Sequence, residues 1–122
     1  MSHVLLVEDD DDLREDLALI LTNRGYRIET ARNGAEALER LRAPGPLPCL
    51  ILLDLMMPVM NGWEFRAAQL ADPAIAAVPV VVMTAASPRD PGGALQALAY
   101  YQKPIKLEDL LALMGEHCGS AR

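Results

Sequence analysis

The sequence predicts an α/β fold in which helices cover both faces of one doubly wound parallel sheet. Five strand signals alternate with helix signals, the order typical of parallel strands joined by right-handed crossovers. Two strand signals, residues 50–53 and 79–83, are apolar without interruption, as expected for strands buried on both faces. With 122 residues, 52% of them hydrophobic, the chain is expected to form a single domain over residues 1–122.

The predicted elements follow from the spacing of apolar residues and from the turn-forming residues between them. The strand signals are short apolar or alternating runs, and they lie at 3–7, 26–30, 50–53, 79–83 and just before Lys103. The helix signals have apolar residues at helical spacing, and they begin near Asp11, Asn33, Gly62, Ala94 and Leu107. Asp11 is expected to cap the first helix, and Gly25 is expected to end it.

The fourth helix is predicted to be short or irregular. Residues 86–104 contain Pro88, Pro91 and two adjacent glycines. Proline and glycine cost about 3 and about 1 kcal/mol, respectively, inside a helix. Only a short helix, at residues 94–99, is therefore expected between the fourth and fifth strands.

Charge and composition disfavour several partners and locations. A net charge of −6 disfavours nucleic acid and anionic membrane surfaces, because both attract basic side chains. No segment approaches the roughly 20 apolar residues that span a bilayer, and the acidic start does not resemble a signal peptide. A cytoplasmic protein without membrane contact is expected. Cys49 and Cys118 lie outside any CxxC motif and are expected to be free, reduced thiols.

Acidic residues stand at the ends of two predicted strands. Glu8 and Asp9 follow the first strand, and Asp54 follows the apolar run at 50–53. Because chemistry in parallel sheets collects at the carboxyl ends of strands, three carboxylates meet if these two strands are neighbours. Such a cluster is costly unless a cation joins it, and carboxylate oxygens favour Mg²⁺ or Mn²⁺. Helix capping is the simpler interpretation for the acids at 10–12.

A hydroxyl and an ammonium group follow two further strands. Thr84 ends the fourth predicted strand, and Lys103 follows the fifth. A metal ion and a lysine offset the charge of a phosphoryl group, and a hydroxyl donates to one of its oxygens. An aspartate can accept a phosphoryl group as an acyl phosphate. The pattern therefore predicts a phosphoryl-binding site with Asp54 as the candidate acceptor.

Four segments, taken in order and spacing, carry a resemblance to a known family. They are LLVEDD at 5–10, LILLDLMMPVMNG at 50–62, VVVMTA at 80–85 and KP at 103–104. Together they resemble the receiver domain of bacterial two-component response regulators over essentially the whole chain. The resemblance implies a flavodoxin-like (βα)5 domain with strand order 2-1-3-4-5. It also implies a switch, not a turnover enzyme, that is phosphorylated by a sensor histidine kinase or a histidine phosphotransfer protein.

The same resemblance implies roles for the residues at the strand ends. Glu8 and Asp9 look like the acidic pair of the family, with Asp9 as the more direct ligand of Mg²⁺ or Mn²⁺. Met56 looks like the residue whose backbone carbonyl binds the metal. Thr84 and Lys103 resemble the two residues that bind the phosphoryl oxygens around the acceptor.

Further matches concern the switch and the loops. Tyr100 resembles the aromatic residue that turns inward when the threonine moves toward the phosphoryl group. Pro58 and Gly62 resemble residues that shape the loop after the acceptor, and the Lys103-Pro104 bond resembles a cis peptide of the family. The chain departs from the family between residues 84 and 103. This segment is shorter than in most receiver domains by about one helical turn.

Alternative functions make different demands on the sequence. A haloacid dehalogenase-like phosphatase would need a second acid two positions after the nucleophile, where this chain has Met56. Calcium binding of the EF-hand type would need a glycine that the acidic run at 9–15 lacks. A phosphorylation-independent interaction module on the receiver fold remains the alternative, because the region at 86–99 is altered.

Overall fold

The described part of the chain, residues 3–85, 93 and 95–119 of a computed structural model, contains a five-stranded parallel sheet. Its strands are β1 (Val4–Val7), β2 (Ile28–Ala31), β3 (Leu50–Asp54), β4 (Val80–Thr84) and β5 (Ala99–Gln102). Their order across the sheet is β2-β1-β3-β4-β5. The predicted fold class and strand order are therefore confirmed.

Helices cover both faces of this sheet. Those in the described residues are α1 (Asp11–Asn23), α2 (Gly34–Arg42), α3 (Gly62–Leu70) and α4 (Leu107–Cys118). One face packs against α2 and α3 through residues such as Leu38 and Phe65, and the other against α1 and α4 through Leu21 and Leu110. None of the helices in the described ranges combines the length and apolarity that a membrane crossing requires.

The strand register brings acidic residues to one edge of the sheet. Val7, the last residue of β1, pairs with Leu53 of β3. Asp54, the last residue of β3, pairs with Met83 of β4. Glu8 directly follows β1 and therefore lies beside Asp54. The continuous apolar runs thus position the polar residues that follow them.

The cap of α1 differs by one residue from the prediction. Asp10 is the N-cap, and its Oδ1 accepts a hydrogen bond of 3.1 Å from the amide of Leu13. Asp11, the predicted cap, is instead the first helical residue. A run of consecutive acids offers several equivalent caps, and the extended backbone at Asp10 decides among them.

The prediction of a short helix at 94–99 is wrong over residues 95–99, which the structure describes. Residues 95–98 form no helix, and β5 begins at Ala99. The amide of Leu98 donates to the carbonyl of Val80 at 2.8 Å, so the chain already joins β4 before β5 begins. Pairing with the sheet therefore outweighs the weak helical preference of this stretch. The rest of the predicted irregular region, residues 86–92 and 94, lies outside the described residues.

The two cysteines form a disulfide, so the expectation of free thiols is wrong. Cys49 lies just before β3, and Cys118 is the last residue of α4. α4 packs on the sheet through Leu110 and Met114, which returns its carboxyl end to the start of β3. The Cα atoms of the two cysteines consequently lie 5.4 Å apart despite a sequence separation of 69 positions.

Candidate functional site

Three carboxylates converge at the carboxyl edge of the sheet. Glu8, Asp9 and Asp54 each place an oxygen within 4.8 Å of the others. Glu8 and Asp54 are buried, with 1% and 3% of their surfaces exposed, whereas Asp9 is exposed. The predicted meeting of these acids is therefore present, with one member open to solvent.

Lys103 lies against two of these acids. Its Nζ donates a hydrogen bond to Glu8 Oε1 and lies 3.4 Å from Asp54 Oδ2. Its amide donates to the carbonyl of Thr84 at 2.7 Å, which fixes the chain just after β5 against the end of β4. The Lys103-Pro104 peptide bond is cis, as predicted. The lysine thus compensates part of the negative charge around Asp54.

Thr84 and Met56 flank the buried aspartate. Thr84 ends β4 with 2% of its surface exposed, and it follows Met83, which pairs with Asp54 in the sheet. The amide of Met56 donates to Asp54 Oδ1 at 3.4 Å, while its side chain is exposed. The structure therefore places both residues near Asp54. Their roles as phosphoryl and metal ligands stay predictions.

Tyr100 lies on β5, farther from the acids. It is half-buried and pairs with Val82, two residues before Thr84 in β4. Its hydroxyl accepts a hydrogen bond of 3.3 Å from the amide of Ala97. Its switch role stays a prediction.

A close backbone approach explains the glycine after the acceptor loop. A Cβ atom at Gly62 would lie 2.7 Å from the carbonyl oxygen of Asp54 and 2.8 Å from the Cα of Leu55. The amide of Gly62 also donates to the carbonyl of Leu55 at 2.9 Å. Asn61 caps α3 in a capping box with Glu64. Gly62 therefore lets α3 begin directly against the acceptor strand.

The electrostatics of the site reflect the burial of two acids, Glu8 and Asp54, beside one lysine. Burial, followed by the charge of Glu8 and the hydrogen bond to it, raises the pKa of Asp54 to about 7, although Lys103 opposes the shift. Burial lowers the pKa of Lys103, but its hydrogen bond to Glu8 and the charges of Asp54 and Glu8 outweigh burial and raise that pKa overall. The surroundings of Asp54 therefore carry too little positive charge to offset its ionised form fully, and Lys103 stays protonated.

This imbalance and the donor atoms fit a divalent cation. The cluster consists of carboxylate oxygens, which Mg²⁺ and Mn²⁺ prefer, and it carries three acids against one lysine. Asp9 is exposed, so a hydrated ion would approach the cluster from its side. Glu8, Asp9 and Asp54 are the acids of the described residues whose oxygens lie close enough together to hold it, and their roles as metal ligands stay predictions.

We expect Asp9→Asn to weaken Mg²⁺ binding by about 10- to 100-fold, since loss of a ligand costs at least as much as loss of a supporting residue. Stability should change little, because Asp9 is exposed. Calorimetric titration of Mg²⁺ measures the effect, with the exposed acid Asp12→Asn as the matched control. Equal affinity in Asp9→Asn and wild type would exclude Asp9 as a ligand.

We expect Asp54→Asn to stabilise the metal-free protein at about pH 8, by roughly 1–3 kcal/mol. The fold raises the pKa of Asp54 from its ordinary value of 3.8 to about 7, so the folded state binds the proton of this carboxyl more tightly than the unfolded state does. The contribution of Asp54 to the free energy of unfolding of wild type therefore falls as the pH rises from about 4 to about 7. Above about pH 7 the whole loss of stability from this ionised carboxylate remains. Asparagine does not ionise, so the difference between the two proteins should nearly vanish near pH 4.

Urea denaturation without divalent ions, at several pH values, measures this difference. Asp12→Asn, which removes an exposed acid, controls for the change in net charge. An Asp54→Asn protein that is less stable than wild type at about pH 8 would contradict the cost assigned to the buried carboxylate.

Arg14 lies near the site but was assigned no role from the sequence. Arg14 donates from Nη1 to the carbonyl of Glu8 at 3.0 Å, and its Nη2 pairs with Asp11 at 2.5 Å. It therefore fixes the backbone that carries the acids. Helical spacing offers a signal, because Arg14 lies on the same side of α1 as Leu17 and Leu21, the side that packs on the sheet.

Comparison with known proteins agrees with this arrangement. Residues 4–114 match the family model of the response regulator receiver domain. The chain therefore belongs to the response regulator receiver domain family. Similar proteins include the response regulator MprA of Mycobacterium ulcerans, 39% identical over 91% of this chain and 47% of its own length. The CpxR homolog of Haemophilus influenzae, a transcriptional regulatory protein, is 42% identical over 70% of this chain and 35% of its own length.

Solved structures agree on the fold. The chemotaxis protein CheY4 of Vibrio cholerae has a TM-score of 0.83 and 30% identity, covering 96% of this chain and 98% of that one. The response regulator TrrA of Thermotoga maritima, in complex with Mg²⁺-BeF, has a TM-score of 0.81 and 27% identity, covering 95% and 98%. The chain thus spans nearly all of these structures but less than half of the curated relatives it matches.

Proposed function

We propose that this domain is a phosphorylation-activated switch of a two-component phosphorelay. Asp54 accepts a phosphoryl group from a phosphohistidine of a sensor histidine kinase or a histidine phosphotransfer protein. The observation that carries the proposal is the position of Asp54, buried at a strand end with Lys103 Nζ 3.4 Å from its Oδ2 and two further acids within 4.8 Å. The phosphorylated and free domains then differ in affinity for a partner protein.

The transfer forms one bond as another breaks. An ionised oxygen of Asp54 attacks the phosphorus, and the phosphorus–nitrogen bond of the donor breaks with its electron pair left on the imidazole. The product is an acyl phosphate on Asp54 and a free histidine on the donor. Only the ionised carboxylate is nucleophilic, so the raised pKa of Asp54 makes charge compensation a condition of the reaction.

Charge compensation falls to the residues around the acceptor. Lys103, held by Glu8, presents an ammonium group to oxygens of the incoming phosphoryl group. Bound Mg²⁺, or Mn²⁺, would supply further positive charge to these oxygens from the side of Asp9, Asp54 and the Met56 carbonyl. Thr84 offers its hydroxyl to a third oxygen. The burial of Glu8 and Asp54 strengthens each of these interactions.

The position of Thr84 at the end of β4, beside β5, supports the proposed switch. Movement of Thr84 toward the phosphoryl group opens space along β4, and Tyr100 on β5 turns inward to fill it. Water later attacks the phosphorus of the acyl phosphate, which releases inorganic phosphate, restores the carboxylate of Asp54 and resets the domain. The protein thus assists its own phosphorylation and dephosphorylation and is a switch, not a turnover enzyme. We place it in the cytoplasm, where its phosphodonor would be.

Intact-mass measurement tests the proposal. The protein is mixed with Mg²⁺ and acetyl phosphate, a small donor that needs no kinase. Wild type should gain one phosphoryl group, and it should gain none when a chelator removes the metal. Asp54→Asn should gain none under any condition. An unmodified wild type with several small donors would favour the phosphorylation-independent interaction module.

A further inference from the structure

A buried arginine on α3 grips the turn that leads into β5. Arg66 is 5% exposed, and its Nε donates to the carbonyl of Leu95 at 2.6 Å while its Nη2 donates to the carbonyl of Gln96 at 3.0 Å. Its Nη1 donates to Gln69 Oε1 at 2.6 Å. Two consecutive carbonyls of one turn therefore bind a single planar guanidinium, which a lysine ammonium does not match.

The same network reaches the segment before β4. Gln69, fully buried, donates its amide hydrogens to the carbonyls of Ile75 and Val78 at 2.9 and 3.0 Å. Gln69 in turn orients Arg66. The pair thus ties the approach to β4 and the approach to β5 to one helix, so the relative position of these approaches depends on it.

The turn gripped by Arg66 also holds the hydroxyl of Tyr100. Residues 95–98 contain Gln96 in the left-handed region, at φ 47°, a conformation that costs energy in a residue other than glycine. The next residue, Ala97, donates its amide to the Tyr100 hydroxyl at 3.3 Å. A strained turn of this kind persists only where its surroundings impose it, and Arg66 supplies the bonds that do so.

Burial of the charged guanidinium of Arg66 costs free energy. Among the described residues, its hydrogen-bond acceptors are two carbonyls and an amide oxygen, none of them a carboxylate. Burial lowers the pKa of Arg66, and the interaction with Tyr100 opposes part of that shift. A leucine or methionine would fill the same interior without this cost. The guanidinium is therefore better explained by what it holds than by stability.

We propose that Arg66 is a positioning residue that acts as a resting-state latch on the switch. It holds the turn at 95–98, and through Ala97 it holds Tyr100, in the arrangement of the unphosphorylated domain. Phosphorylation of Asp54 moves Tyr100 inward, which breaks the Ala97–Tyr100 hydrogen bond and loosens the turn. This inference rests on the proposed function, because it assumes that Tyr100 moves when Asp54 is phosphorylated.

Linkage gives the latch a measurable consequence. If the grip of Arg66 is stronger in the resting arrangement, weakening it shifts the population toward the phosphorylated arrangement before any ligand binds. A phosphoryl mimic at Asp54 then binds more tightly, although Arg66 itself does not touch the site. An arginine that is merely structural holds both arrangements equally, and its replacement lowers stability without changing that affinity.

The test is a calorimetric titration of beryllofluoride, a phosphoryl mimic, at saturating Mg²⁺. Arg66→Lys keeps the charge but removes the planar two-carbonyl grip, and its half-saturating beryllofluoride concentration should fall about fivefold or more. Arg42→Lys is the matched control. Arg42 is a helical arginine that pairs at the surface with Asp72, and this variant should bind as wild type does.

Three results are distinguishable. Tighter binding in Arg66→Lys alone supports the latch. Equal or weaker binding in Arg66→Lys, with saturable binding in wild type, overturns the latch and leaves the proposed function intact. Absence of binding in wild type overturns the proposed function, and the latch with it.

A second measurement uses wild type alone, in case Arg66→Lys does not fold. Hydrogen exchange at the amides of Ala97 and Leu98 is compared with and without Mg²⁺ and beryllofluoride. The latch predicts faster exchange at Ala97 when the mimic is bound, because its hydrogen bond to Tyr100 is lost. Exchange that is unchanged or slower at Ala97 would overturn it.

Discussion

Lys103→Met is expected to slow phosphorylation of Asp54 by about 100- to 1,000-fold, the loss typical when one charge-stabilising donor is removed. Two causes act together. The variant has no ammonium group 3.4 Å from Asp54 Oδ2 to meet the charge of the phosphoryl oxygens. It also loses the charge that opposes the raised pKa of Asp54, so less of the acceptor is ionised at neutral pH.

The initial rate of mass gain with acetyl phosphate and saturating Mg²⁺ measures this loss. Lys106→Met removes an exposed lysine from the same connection, and it should leave the rate unchanged. Mg²⁺ binding by Lys103→Met should be as tight as in wild type or tighter, because one competing cation is gone. A rate near that of wild type would show that Lys103 does not contact the reacting group.

Reduction of the disulfide is expected to lower the free energy of unfolding by about 2–4 kcal/mol. The bond joins positions 69 residues apart, and the chain-entropy account gives about 4 kcal/mol for a loop of that size. It also ties the carboxyl end of α4 to the start of β3, at the edge of the sheet opposite the acids. The site itself should therefore keep its geometry after reduction.

Urea denaturation with and without a phosphine reductant measures this change. The double variant Cys49→Ser and Cys118→Ser should resemble reduced wild type and should not respond to the reductant. Mg²⁺ affinity should be the same in all of these samples. An identical unfolding midpoint for reduced and unreduced wild type would contradict a stabilising bond between Cys49 and Cys118.

The fold and the acidic cluster were predictable because both depend on simple periodic rules. Uninterrupted apolar runs such as 50–53 identify buried parallel strands, and their carboxyl ends meet at one edge of the sheet. The strand ends placed Asp54 and Glu8 together on the condition that the first and third strands are neighbours, an order that the resemblance to the receiver family supplied. Lys103 follows from the same rule, since it comes directly after β5.

Features that depend on tertiary packing were not predictable. The contact between Cys49 and Cys118 depends on the path of α4 across the sheet, which no local spacing encodes. The turn at 95–98 replaces a predicted helix because Leu98 pairs with β4 and because Arg66, about 30 residues earlier, binds the carbonyls of the turn. Arg66 itself was missed, since a charged residue on a helix is usually at the surface.

The central claim is that the acids directly after β1 and at the end of β3 bind a divalent cation beside Lys103. Crystals of the protein grown with Mn²⁺ and measured for anomalous scattering test it directly. The account predicts one peak within coordination distance of the carboxylates of Asp9 and Asp54. Saturating Mn²⁺ with no peak at these carboxylates would contradict it.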